Sequence, residues 1–291
     1  MYTTARRLGN GLEGEFPPEL ARLSTLDTII LQRNDISGTI PEFLGQLTKL
    51  TTLILLGNAF IGTIPEALLS GASLLGTLHL GENAITGTIP EIISMLPLTD
   101  LRFERCDLRG TVPNALGAIP TLSILEFQEN SFTGTLPTPF FQNPTIRRLR
   151  FNENNFVGSI PTEIGLMSTL QDWRLQKNQL TGTLPSGMFT LPNLANIFLA
   201  HNKLTGTLPE DFLMLNDTLR TLILNDNLFT GPLPEAFDRL TYANEMILHA
   251  NPGLTGVISK AICDERGSRF FDLQNLTAPI QVPCSCCDLQ A

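Results

Sequence analysis

Residues 29–41 read Ile29-Ile30-Leu31-Gln32-Arg33-Asn34-Asp35-Ile36-Ser37-Gly38-Thr39-Ile40-Pro41, and this stretch returns along nearly the whole chain. The positions in phase with Asn34 are Asn10, Asn58, Asn83, Cys106, Asn130, Asn154, Asn178, Asn202, Asn227, Asn251 and Asn275, spaced 23 to 25 residues apart. Four residues after most of these marks stands a glycine (Gly14, Gly38, Gly62, Gly87 and on to Gly231). Three further on stands a proline (Pro17, Pro41, Pro65, Pro90 and on to Pro234). Three residue types held in phase this long mark a repeat. One such coil cannot bury its own leucines, so the units must stack.

Each phase has a physical task. Upstream of the Asn, apolar residues alternate, as in Leu53 and Leu55 or Leu222 and Leu224. That is the period of a half-buried strand. The Asn turns the chain inward, and its amide can satisfy backbone groups that a buried turn would orphan. Stacked once per coil, these amides predict a ladder. The glycine permits a tight bend or close packing of coils. The proline suits the first position of a short helical or 3-10 segment, and Glu42, Glu66, Glu91, Glu210 and Glu235 follow it where a helix start favours an acid.

The pattern resembles the plant-type leucine-rich repeat family, whose consensus LxxLxLxxNxLxGxIPxxLxxLxx runs here from about residue 8 to 277. The resemblance implies an α/β solenoid: a right-handed superhelix of about 11 coils, with a parallel sheet on the concave face and short helical segments on the convex face. In that family the fold forms ectodomains of receptor-like kinases and receptor-like proteins, and polygalacturonase-inhibiting proteins. It implies recognition of a peptide, protein or glycan. No kinase signature accompanies the repeats. The expected division is a solenoid over residues 1–262 and a cysteine-containing cap over 263–291. At the start, the family's Cys-bearing cap is missing, and Ala5 and Arg7 stand where apolar strand residues belong. A frayed first coil, or a fragment of something longer, is the expectation.

Composition narrows the partners. Among the 291 residues, 19 Lys+Arg against 28 Asp+Glu leave a net charge of −9, the wrong sign for nucleic acid or an anionic membrane. Hydrophobic residues at 42% and charged residues at 16% argue against disorder. No apolar run approaches the roughly 20 residues of a membrane helix. Met1-Tyr2-Thr3-Thr4-Ala5-Arg6-Arg7 has no signal-peptide core, so either a secretion signal has been removed or the chain is intracellular.

Cys106 occupies a ladder position and reads as a buried free thiol. Cys263, Cys284, Cys286 and Cys287 crowd the last 29 residues and read as disulfides. Bridging Cys284 or Cys287 to Cys286 makes a small strained ring, which favours Cys263–Cys286 with Cys284–Cys287. A partner cysteine beyond Ala291 is the alternative. The CxCC ending also resembles secreted diatom-type leucine-rich repeat proteins, and it lacks the separated pairs of a structural zinc site. Of two Asn-x-Ser/Thr triplets, Asn216 falls in an outer segment where a glycan fits, and Asn275 at a ladder phase. Together these predict a secreted or cell-surface monomer.

No catalytic constellation, cofactor motif or metal cluster is legible. His79, His201 and His249 read as solvated residues of the concave strands, the last two nearly 10 Å apart by strand spacing (about 4.8 Å each). Counting six, four, two and one residues before each mark gives the outward positions. The central coils supply Arg102, Glu126, Arg150, Asp172 and Arg174 as a mixed-charge centre, with Phe198 as an apolar anchor. Such a face suits carboxylates or carbonyl-rich peptides. A second function class rests on the recurring Thr-Gly-Thr, whose hydroxyl ladder suits adhesion to a wall polysaccharide, a mineral or ice. A third, implied by the resemblance, is inhibition of a secreted wall-degrading hydrolase.

Overall fold

The computed structural model describes residues 4–6, 9–240, 242–256 and 270–272, with residues 4–6 and 270–272 described as backbone. The four terminal cysteines and Asn275 lie outside the described residues. The chain divides into two compact units, Met1–Ile146 and Arg147–Ala291.

In the first unit, three-residue parallel strands at Thr4–Arg6, Thr28–Ile30, Thr52–Ile54, Thr77–His79, Asp100–Arg102 and Ile124–Glu126 form the main sheet. The second unit repeats this with Arg148–Arg150, Asp172–Arg174, Asn196–Phe198, Thr221–Ile223, Glu245–Ile247 and Phe270–Asp272. Thr4–Arg6 pairs residue for residue with Thr28–Ile30, so the coil expected to be frayed contributes a strand. Across each coil, 3-10 or short α segments run on the far side, and the leucines and phenylalanines between are buried. Both units are built as leucine-rich repeat solenoids.

The predicted ladder is present, and it bonds in three directions. Asn178 Nδ2 donates to Leu175 O in its own coil and to Phe151 O in the preceding coil, each at 3.0 Å. Its Oδ1 accepts the Phe156 N–H at 3.0 Å. Asn83, Asn202, Asn227 and Asn251 repeat the arrangement, every one of them buried. Cys106 breaks the series. It is half-buried rather than buried, and its thiol reaches Leu80 O at 3.5 Å and Glu104 O at 3.8 Å. Burial pushes that thiol up to about 12, so it stays protonated and inert.

Two other phases differ from expectation. Proline is the residue before each 3-10 segment, with Glu42, Glu91 and Glu210 as the first helical residues. The residue before each ladder position lies in a left-handed turn, with φ of 51 to 58° at Arg33, Glu82, Arg105, Glu129, Glu153, Lys177, His201, Asp226 and Ala250. Strand alternation alone predicts an outward strand position here. The chain must reverse its curvature to bring the Asn inward, and a single left-handed residue does so.

Length variation is absorbed away from the main sheet. Thr52 pairs with Thr77 and Asn196 with Thr221, each across 25 residues. In both coils the outer helix has six residues, Glu66–Gly71 and Glu210–Leu215, against five in most others.

Short lateral strands follow each Asn, and here Thr-Gly-Thr finds its structural task. Gly206 has φ +87°, and a Cβ there would lie 2.7 Å from Thr183 Cγ2 of the preceding coil. Threonine methyls thus fill the space above the next coil's glycine. The hydroxyls just before the glycines bond to the preceding coil: Thr86 Oγ1 donates to Gly62 O and Thr205 Oγ1 to Gly182 O, both at 3.3 Å. The lateral strands also slip by two residues per coil, pairing Ser37 with Ala59 and Thr39 with Ile61.

Replacing Asn178 by Ala orphans the Phe156 N–H and deprives two buried carbonyls of a donor. At about 1–3 kcal/mol per unsatisfied group, denaturant unfolding should show a loss exceeding about 2 kcal/mol. Cys106→Asn restores a rung and should gain about 1 kcal/mol in the same assay. A neutral result for both would remove the ladder as the stabilising element.

Candidate functional site

In the second unit, in-register pairing sets Arg148, Arg150, Asp172, Arg174 and Phe198 side by side on the main sheet. Three guanidinium groups converge on one carboxylate. Arg150 Nε donates to Asp172 Oδ2 at 2.8 Å, Arg174 Nε to Oδ1 at 2.9 Å, and Arg148 Nε stands 3.8 Å from Oδ2. The Arg174 guanidinium also lies over the Phe198 ring, 4.4 Å from its centroid. Burial alone would raise the Asp172 carboxyl, but Arg174 and Arg150 outweigh it and hold the group below its ordinary range. One half-buried carboxylate gathers three guanidinium groups on the same face. Such an arrangement accepts a further anion, most naturally a planar carboxylate.

The first unit places Arg102 and Glu126 on adjacent strands, with Arg102 Nη1 3.8 Å from Glu126 Oε2. Arg102 is chiefly engaged by Asp100, through Nε to Oδ1 at 2.7 Å and Nη2 to Oδ2 at 2.8 Å. His79 Nε2 stands 3.1 Å from the same Asp100 Oδ1. Burial pushes the Asp100 carboxyl up, yet His79 and Arg102 overcome this and hold it at about 2. Glu126 was expected to face outward and is instead 4% exposed. It ends the strand Ile124–Glu126 at the register of Arg102, and the side chains of that face cover it.

Apolar residues also line the main-sheet side of each unit. Ile30, Ile54, Leu56, Phe198, Ile223 and Ile247 are half-buried. The large apolar residues that are exposed, Ile61, Met95, Leu166, Met214 and Leu228 among them, lie on the lateral and outer segments. The histidines differ as well. Only His79 is in a strand, and His201 occupies a left-handed turn. His201 Nδ1 and His249 Nε2 approach one oxygen, Asp226 Oδ2, at 3.4 and 3.9 Å. The signal was available: Asp226 belongs to the coil between them, in the phase before its Asn. Asn216 closes the Glu210–Leu215 helix, half-buried, its amide donating to Asp217 Oδ1 at 3.4 Å.

Repeated three-residue parallel strands, a buried Asn ladder and outer 3-10 turns define the chain as carrying the leucine-rich repeat fold. It resembles the plant-type leucine-rich repeat family. Residues 218–240 match the Leucine Rich Repeat family profile. No curated protein matches by sequence. Among solved structures, the chain is similar to the ectodomain of the Arabidopsis thaliana membrane receptor kinase GASSHO1/SCHENGEN3, solved in complex with CASPARIAN STRIP INTEGRITY FACTOR 2. That match has 28% identity and a TM-score of 0.71 over 93% of this chain and 38% of the other. The Arabidopsis receptor kinase HAESA, in complex with the peptide hormone IDA and the co-receptor SERK1, matches at 27% identity and a TM-score of 0.80, over 94% and 49%. A plant ice-binding protein matches at 26% identity and a TM-score of 0.70, over 84% and 78%. The chain thus spans less than half the length of either receptor structure. No helix among the described residues is long and apolar enough to cross a membrane.

Asp100 ties stability to acid pH. Its folded value lies below the ordinary 3.8, so its contribution is complete above that value and disappears as pH falls toward 2. Thermal unfolding of wild type should therefore lose stability between about pH 4 and pH 2, and Asp100→Asn should flatten the decline. An unchanged slope in the variant would mean that other carboxylates carry it.

Proposed function

We propose that the chain is a non-catalytic recognition module acting outside the cell, binding a peptide or protein on its main-sheet face. The observation carrying this is the Asp172 group: Arg148, Arg150 and Arg174 held by a single carboxylate, with Phe198 beneath one of them. Guanidinium groups already held in place bind acidic groups without the entropy cost of being ordered. Phe198 adds apolar contact beside them. The likeness to receptor ectodomains solved with peptide partners supports the same reading. In the first unit the proposal adds Arg102 and Glu126 as binding residues, and it includes a glycan at Asn216 and a cap over residues 263–291 braced by Cys263, Cys284, Cys286 and Cys287.

A second reading is adhesion or ice contact through the lateral face. It has an observation of its own: Thr39, Thr63, Thr88, Thr111 and Thr135 in one unit, and Ser159, Thr183 and Thr207 in the other, are all exposed at one phase. The plant ice-binding protein is similar in fold. Against it stand the threonine methyls committed to covering glycines, and the two-residue slip that sets rows of side chains obliquely.

Arg150→Ala leaves Asp172 with Arg174 and Arg148, so the variant should unfold at the wild-type temperature. In pull-downs from extracellular extract followed by mass spectrometry, an Arg150→Ala/Arg174→Ala protein should lose a partner that wild type retains. Affinity for that partner should fall about tenfold or more, and raising the salt should weaken wild-type binding. Equal capture by both proteins, at every salt concentration, would transfer the function to the lateral face.

A further inference from the structure

In the second unit, one phase of the main strands forms a row whose chemistry changes in a single direction. Pairing in register sets Arg150 beside Arg174, Arg174 beside Phe198, Phe198 beside Ile223 and Ile223 beside Ile247. In each of these strands the middle residue is buried and the outer two are half-buried, so the row faces away from the core. The phase can hold charge, since Arg102 and Glu126 occupy it in the first unit. Three apolar residues in succession are therefore not a demand of the repeat.

The row begins at cations and ends at acids. The Asp172 side chain is 13% exposed, whereas those of Arg150 and Arg174 remain 24% and 33% exposed. Their guanidinium groups are thus the accessible side of that cluster. Arg174 lies over the Phe198 ring, which joins the cations directly to the apolar residues. At the far end, Glu245 shares the strand of Ile247, and Asp272 takes the next register position. An acidic ligand group is attracted to the first end and disfavoured at the second. The half-buried residues between those ends gain by being covered.

Strand spacing of about 4.8 Å puts Phe198, Ile223 and Ile247 roughly 5, 10 and 14 Å from the strand of Arg174. An extended peptide advances about 3.3 Å per residue and returns a side chain to the same face roughly every 7 Å. With an acidic residue held by the arginines, the side chains two and four positions away fall between Phe198 and Ile223 and at Ile247.

We propose that Phe198, Ile223 and Ile247 form an apolar subsite for an extended peptide that places an acidic residue at the arginines and apolar residues two and four positions from it. The proposal rests on the reading of the main-sheet face as a recognition surface. To that reading it adds the order of the ligand's side chains and their direction across the coils. Every residue it uses lies in the second unit.

The test uses the full chain and three fluorescent peptides, titrated at low salt by anisotropy. Hexa-glutamate probes the arginines alone. The second peptide has leucines two and four positions to either side of a central glutamate, with serines between, so it fits in either chain direction. The third replaces every leucine by serine. Wild type should bind the leucine peptide about tenfold or more tightly than the serine peptide. Ile223→Thr/Ile247→Thr keeps a β-branched residue in each strand; it should lose that difference and bind hexa-glutamate as wild type does. Ile61→Thr/Leu228→Thr, which removes aliphatic surface from exposed lateral positions, should keep the difference. Equal binding of the two peptides by wild type, a difference that survives in Ile223→Thr/Ile247→Thr, or equal losses in the two double variants would each overturn the subsite. Should the isoleucine variant fail to fold, the wild-type comparison of the two peptides decides. Hexa-glutamate separates the two ideas. If its binding requires Arg150 and Arg174, a failed subsite leaves the recognition reading standing. Hexa-glutamate that does not bind wild type, or that ignores the arginines, overturns that reading and the subsite that rests on it.

Discussion

A buried turn can exist in a stacked coil only if something satisfies its backbone, and here that is the asparagine amide. Each amide joins its own coil to the one before it through two carbonyls and one N–H, as Asn178 does with Leu175, Phe151 and Phe156. The rest of the coil accommodates this arrangement. A left-handed residue must precede the Asn, which confines the main strand to three residues. A glycine must follow where the chain leaves the turn, and a threonine methyl covers it from the neighbouring coil. Hydrophobic burial supplies the bulk of the stabilisation, but the ladder decides which chain path can be buried.

Much of this was legible because a fixed period turns residue number into position. Asn34 and its equivalents, the leucine phases, and the pairing of Arg150 with Arg174 could all be read from spacing alone. What could not be read depends on backbone curvature within a coil. A strand alternates its side chains strictly, and extending that rule past the third residue placed the residues before the ladder positions as outward strand positions. The left-handed turn overrides it. That is why Glu104 is tucked against the sheet, and why His201, Asp226 and His249 converge where strand spacing kept the two histidines apart. The Thr-Gly-Thr motif was legible as a pattern, but its meaning required seeing which atom of each threonine packs inward.

The two main-sheet clusters share a construction of opposite sign. Asp172 gathers three guanidinium groups; Arg105 stands between Glu82 and Glu129 while Glu104 and Glu126 lie buried nearby. Neither is an efficient way to stabilise a fold, since desolvating charge costs about what pairing returns. Each unit has ample apolar core without them.

The six-residue outer helices at Glu66–Gly71 and Glu210–Leu215 take up an extra residue while Thr52 still meets Thr77 and Asn196 still meets Thr221. Inner and outer faces are thereby uncoupled as variables. The outer segment can lengthen, or take a bulky modification, without moving any side chain of the main sheet. The main-sheet residues can in turn be rewritten singly without altering the path of the coil. A chain organised this way holds separate controls for what it contacts and for how it is clothed, and either can drift while the other stays fixed.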